Sequence, residues 1–364
     1  MNPVILALSL AMATSTASPN SQSKSLPFLS GGDVSEIPQV EAEGGKYFYK
    51  GKQEDPFVLM RKAGWNFVRF RIWNDPNGGW CDKAQTLKLA KRADAQGLKI
   101  SLDFHYSDWW ADPGKQTKPA AWKNLAFADL EKAVYDYTAD VVRSMVAQGT
   151  TPVMVQVGNE IVGGMLWPDG KADSNNPDQW QRLAKLLNAG LKAVKDSQGT
   201  HKIQTMLHLD RGGDNRVATW WFDKINEQKV PYDTIGLSYY PWWHGSLKAF
   251  EENLNDLGKR YGKDIYVVEV AYPWGGDDRP GPHVYNGDKT EEGYPQTPEG
   301  QANFLKRVIH IIKSVPNGRG KGVLYWAPTW ISTSNGHSPY SNLATFDEKG
   351  LALPSVDVLG AKNR

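Results

Sequence analysis

The sequence predicts an α/β protein, a single-domain (β/α)8 TIM barrel in which eight parallel strands alternate with helices. Three observations carry this. Short apolar or alternating runs recur eight times from Leu26 onward, and amphipathic stretches separate most of them. Strands alternating with such helices pair in parallel. The length of 364 residues suits one barrel with insertions, since the fold occupies ~250 residues in its plain form. An open doubly wound sheet is the structural rival, but the Gly-rich phosphate turn of its nucleotide-binding version does not follow the first strand here.

The elements follow in order. Residues 1–24 contain an apolar run from Pro3 to Ala13 followed by small residues. This resembles a secretory signal peptide with a flexible leader, although no Lys or Arg precedes the run, and it is too short to span a bilayer. The expected location is therefore secreted, or periplasmic and cell-envelope, with residues 25–364 forming the (β/α)8 barrel. The eight strand candidates are LPFLSGGD, NFVRFRIW, LKISLDFHY, TPVMVQVGNE, KIQTMLHLD, DTIGLSYYP, DIYVVEVAY and KGVLYWAP. Between them, 86–97, 129–149, 179–199 and 246–262 carry apolar residues at helical spacing and end at Gly. The stretch 298–315 opens with Thr297 as N-cap and Pro298 in the first turn. Three irregular segments, 106–128, 161–178 and 271–297, follow strand ends and should form one wall around a common cleft.

Composition narrows the function. The balance of 42 basic against 40 acidic residues argues against nucleic acid or an anionic membrane as partner. Cys81 is the only cysteine, so no intrachain disulfide forms. The count of 15 Trp and 15 Tyr exceeds what core packing needs, and indoles also serve as stacking surface for a flat ligand. Neither a His-Glu-x-x-His zinc helix, a Gly-Lys-Ser/Thr phosphate loop nor a Gly-x-Ser-x-Gly elbow is present.

A charged residue at the C-terminal end of a barrel strand points into the catalytic mouth. Glu160 closes the fourth strand run and Glu269 the seventh, so the two face across the barrel. Either alone reads as a surface or salt-bridged acid. Together in a Trp-rich cleft they suit glycoside hydrolysis, one carboxyl protonated to donate to the leaving oxygen and the other ionised to attack the sugar carbon. Asn159, just before the first acid, is placed to bond a hydroxyl beside the reacting carbon. Arg69 and Arg71 share one face of the second strand, where a buried guanidinium beside Glu269 would hold it ionised. Tyr239 and Tyr240 end the sixth strand, and alternation lets only one phenol point inward.

Six blocks carry a closer likeness: SGGDVSEIPQVEAEGG (30–45), VRFRIWNDP (68–76), LDFHYSDWWADPGKQ (102–116), GNEIVGGMLWPDG (158–170), LSYYPWW (237–243) and YWAPTWI (325–331). They resemble the family 53 glycoside hydrolases, the endo-β-1,4-galactanases acting on arabinogalactan. The resemblance implies a retaining double displacement with Glu160 as acid/base and Glu269 as nucleophile, and no required cofactor. It also implies that His105, Asp108, Trp110, Trp326 and Trp330 line sugar subsites. The expected partner is β-1,4-galactan, with the enzyme a monomer. Some bacterial relatives bind a structural calcium ion after strand seven. Here Asp277, Asp278, His283 and Asn286 offer oxygen and nitrogen ligands, but at altered spacing and with prolines between. The loop pattern therefore does not support calcium. The alternatives are another β-1,4-glycanase, of mannanase or cellulase type, and a non-catalytic carbohydrate-binding barrel, which would need no paired acids. For galactan, whose axial O4 curves the chain, Trp109, Trp110, Trp167, Trp242, Trp243, Trp326 and Trp330 are the expected stacking platforms.

Overall fold

The computed structural model describes residues 26–172, 176–275, 284–285, 287 and 289–360. The signal-like segment and the calcium-loop residues Asp277, Asp278, His283 and Asn286 lie outside the described residues. Eight strands close into a barrel: β1 (Leu29–Asp33), β2 (Phe67–Ile72), β3 (Lys99–Phe104), β4 (Met154–Val157), β5 (Gln204–Leu209), β6 (Thr234–Tyr239), β7 (Asp264–Val270) and β8 (Gly320–Tyr325). Every pairing is parallel, and β1 closes the ring by pairing with both β8 and β2. Seven strands fall within the runs read from the sequence, and β8 begins one residue before its run, at Gly320.

The helices of the outer layer are α1 (Pro56–Ala63), α2 (Lys83–Ala95), α3 (Phe127–Ala147), α4 (Pro177–Ser197), α5 (Asn215–Glu227), α6 (Leu247–Tyr261), α7 (Pro298–Ser314) and α8 (Pro354–Val358). Five match the sequence reading to within a few residues, and α1, α5 and α8 are additional. Side chains of Asp55, Asp82, Asn176, Asp214, Ser246 and Thr297 each accept a backbone N–H at a helix start, satisfying donors that have no partner within the helix. Among the described residues no helix is long and apolar enough to cross a membrane.

Strand alternation splits the apolar residues into two sets. One set packs between strands and helices in the main core. The other, Leu29, Phe67, Met154, Met206, Tyr266, Val268 and Leu324, plugs the barrel interior. Above that plug, the inward positions become polar: Arg69 and Arg71 on β2, Asp103 on β3, Gln156 on β4 and His208 on β5, all buried. The β7 strand departs from simple alternation. Its register with β6 jumps so that Val267 pairs with Leu237 but Glu269 pairs with Ser238, leaving Val268 unpaired as a bulge. Tyr266 and Val268 already face the interior, so period-two alternation would turn Glu269 outward. The bulge turns it back in.

Candidate active site

Glu269 is 4% exposed and held from two sides. Arg69 Nη2 donates to its Oε1 at 2.7 Å and the Tyr240 hydroxyl to its Oε2 at 2.8 Å. Arg69 itself is gripped by Asp33 Oδ2 (2.8 Å) and Gln156 Oε1 (3.1 Å), with Asp103 at 3.6 Å. Burial pushes the Glu269 carboxyl upward, and the charge and hydrogen bond of Arg69, with Tyr240, pull it back.

Glu160 stands three residues beyond β4 in a left-handed backbone conformation (φ 48°, ψ 51°), which non-glycine residues rarely adopt and which clusters at functional sites. That backbone answers why an amide and an acid interrupt an apolar run: the chain bends sharply there and presents Glu160, half-buried, to the cleft. Ser238 Oγ donates to Glu160 Oε1 at 2.6 Å. His208 Nε2 lies 2.8 Å from Ser238 Oγ, and its Nδ1 lies 2.9 Å from the Gln156 amide nitrogen. His208 thus links Ser238 through Nε2 to Gln156 and Asn159 through Nδ1. Burial, reinforced by Arg69, holds His208 well below the usual imidazole range and keeps it neutral. Glu160 is raised well above the usual carboxylate range, first by burial, then by the charges of Glu269 and Asp210. It is therefore the carboxyl that keeps a proton.

The nearest ligand atoms of Glu160, His208 and Glu269 all lie within 4.8 Å of one another. Both ring nitrogens of His208 are already engaged by Ser238 and Gln156, so the trio is built as a hydrogen-bonded unit rather than as an open metal cage.

The sugar-sized cleft, about 580 Å3, is walled by Trp110, Trp326, Trp330 and Tyr340 on one side and by Tyr240, Trp243 and His244 on another. Asn159 lines it, with its amide nitrogen donating to Ala111 O at 2.9 Å and its Oδ1 facing Gln156 and His208. Several residues expected at the sugar surface stand elsewhere. Tyr239 points away from the mouth, donating to Gly245 O and stacking on Phe250, because alternation leaves the inward place to its neighbour. Arg69 and Arg71 are sealed beneath the site at 0% and 2% exposure. The Arg71 guanidinium lies under Trp110 at 4.5 Å and pairs with Asp33 at 3.3 Å, so it braces the aromatic wall from beneath. His105 is buried behind that wall, its Nδ1 accepting from Ala111 N and its Nε2 3.3 Å from Asp103. Asp108 spends both oxygens on the loop backbone at Asp75 N and Ala120 N. Trp242 packs half-buried on Tyr240 and Tyr285, whereas Trp109 and Trp167 face a separate hollow. The segment 161–178 thus does not join the cleft wall through Trp167.

Sequence reasoning passed over Asp33, Asp103, Gln156, His208, Asp210 and Ser238. Their readable signal is a polar side chain at an inward position or terminus of an otherwise apolar strand, as in VMVQV and MLHLD.

A carboxyl that keeps its proton faces an arginine-held carboxylate at the C-terminal mouth of a (β/α)8 barrel, between aromatic walls. That combination defines a glycoside hydrolase. Comparison with known proteins agrees and narrows it: the model of glycosyl hydrolase family 53 matches residues 29–359, and the chain belongs to this family. It is 46% identical over 92% of its length to an uncharacterised protein of Niallia circulans, of which it covers 94%. It is 39% identical to the arabinogalactan endo-β-1,4-galactanase of Cellvibrio japonicus, covering 90% of this chain and 89% of that one. The solved family 53 catalytic domain of Ignisphaera aggregans superposes with a TM-score of 0.84 at 36% identity, covering 92% of this chain and 97% of that one.

Proposed function

We propose that the protein is an endo-acting, retaining β-1,4-galactanase in which Glu269 is the nucleophile and Glu160 the acid/base. The spacing of the two carboxyls carries the reading. One oxygen of each lies within 4.8 Å of the other, closer than the ~6.5–9.5 Å across which an inverting enzyme seats its water. Glu269 attacks the anomeric carbon while Glu160 gives its proton to the departing O4, and the C1–O4 bond breaks as the glycosyl–Glu269 ester forms. Glu160, now ionised, takes a proton from water, whose oxygen displaces Glu269 and restores both groups. Tyr240 and Arg69 hold the nucleophile through hydrogen bonds, and Asn159, on the cleft lining, is the residue we assign to the hydroxyl next to the reacting carbon. The galactan substrate rests on family membership and on the printed activity of the Cellvibrio japonicus relative. Aromatic walls set on several sides of the mouth suit a curved chain.

The test is product analysis on a panel of pure β-glycans, with proton NMR of the first product before mutarotation. The expected result is β-configured short oligosaccharides from unbranched β-1,4-galactan, with little action on mannan or cellulose. An initial α-anomer would overturn the two-step mechanism, and comparable rates on mannan would overturn the substrate assignment.

A further inference from the structure

Beside the catalytic cleft lies a second hollow of about 670 Å3 that the hydrolysis described above does not use. Its walls come from the loops after β3 and β4, chiefly Trp109 and Trp110 from the first and Trp167 from the second. Trp110 and Lys115 line both the hollow and the cleft, so the two spaces meet along a shared rim.

The hollow is preformed. Trp109 is 49% exposed, yet its inner face is propped on Trp73, with ring centroids 4.6 Å apart. A braced ring with a bare outer face is a platform, not a packing residue. Trp167 is fixed by its Nε1 donating to Gly163 O at 2.7 Å. The two loops are tied together by Trp167 N donating to Gln116 O at 2.7 Å and by the Lys118–Asp169 ion pair at 2.7 Å. Of the three lysines on the lining, Lys115, at the shared rim, stands 3.6 Å from Asp112 and Lys118 pairs with Asp169, while Lys123 and Asp108 add one charge of each sign. What remains is an aromatic surface edged with exposed polar groups, the chemistry that takes a neutral pyranose: its C–H face on an indole, its hydroxyls toward the edge.

We propose that this hollow is a remote subsite, occupied by galactosyl units of the same chain that is being cut, beyond those held in the cleft. The proposal rests on the galactanase reading and deepens it. Contact with units remote from the scissile bond supplies binding energy that the reacting units alone do not, so a longer substrate gains in kcat/KM.

The experiment measures kcat/KM on galacto-oligosaccharides from the tetraose to the octaose, for the full chain and for two variants. Trp109→Ala removes the platform. Asn124→Arg fills the hollow from its exposed rim and leaves the tryptophans in place, so it separates occupancy from packing. In the unmodified protein kcat/KM should rise with length. Both variants should flatten that rise, losing roughly three- to tenfold on the longest substrate, the value of one aromatic contact, with little change on the shortest. Equal loss at every length in Trp109→Ala would mean that the ring merely props Trp73, and would overturn the proposal. So would an unchanged length dependence in Asn124→Arg, or a flat one in an active unmodified protein. A protein inactive on galactan of every length would instead overturn the galactanase reading itself.

Discussion

At the scale of single residues, the two acids are distinguished by their neighbours rather than by their type. Glu269 has an arginine and a phenol; Glu160 has a serine hydroxyl and the charge of Glu269. They should therefore fail differently. Glu269→Ala should lose ~10⁴-fold or more on every substrate, because no glycosyl–enzyme ester can form. Glu160→Ala should lose as much on polysaccharide but recover on an activated aryl galactoside, whose leaving group needs no proton. Equal losses of the Glu160 variant on both substrates would remove the acid role. The charge coupling gives a second outcome. The Glu269 carboxylate helps to raise Glu160, so Glu269→Gln should move the Glu160 titration to lower pH. Activity of the unmodified enzyme should fall as pH climbs through that raised value, since the first step needs the protonated acid. A carboxyl titration followed by NMR or infrared spectroscopy would show it, and an unmoved Glu160 would uncouple the pair.

At the scale of elements, every barrel strand was legible because its apolar run is short, repeated and bounded by turn residues. Two helices were legible in principle and missed. Helix α5 buries Ala218, Trp221, Phe222 and Ile225, which is helical spacing, and Asp214 caps it; its crowd of aromatics disguised the period. Helix α1 begins Asp55-Pro56 and ends before Gly64, but it is only eight residues long. The bulge at Val268 has no such signature. VVEV gives no hint which valine goes unpaired, so the inward aim of Glu269 follows from register with β6, a tertiary fact. For the same reason the buried grip of Arg69 on four strands was only half readable: its facing was clear, its partners were not. Helix α3 offers a test at this scale. Its N-cap, Ala126, has extended backbone (φ −62°, ψ 155°) and no side-chain cap, with Asp129 in the first turn. Ala126→Ser should accept a first-turn N–H and stabilise the protein by about 0.5–1 kcal/mol, read by denaturant unfolding; no gain would mean that fraying at this end is already suppressed.

For the whole molecule, the polar layer above the apolar plug makes stability depend on pH. Glu36 is sealed beneath the aromatic wall, where Thr329 donates to it and Arg71 lies at 3.6 Å. Burial, outweighing Arg71 and assisted by Asp33, raises its pKa from 4.5 to about 7. The folded protein thus holds this proton more tightly than the unfolded chain does. Its stabilisation is complete below pH 4.5 and is lost as pH rises through about 7, a loss on the order of 3 kcal/mol. Glu160 and Glu269, also raised, act in the same direction. Unfolding free energy should therefore decline between about pH 5 and about pH 8, and Glu36→Gln, which cannot ionise, should flatten part of that decline. Identical slopes in the two proteins would show that Glu36 holds no proton at neutral pH.

The grip of Arg69 also has a meaning in time. Asp33 stands 36 residues from Arg69 in the chain, but the carboxylate that Arg69 serves in the cleft lies 200 residues further along. Such distant pairings form late, after the entropy of closing the long loop has been met. An unfinished or misclosed chain therefore has no half-working site to lend. Turnover switches on only when the last strands join the first, so catalytic activity is itself a report that the ring has shut.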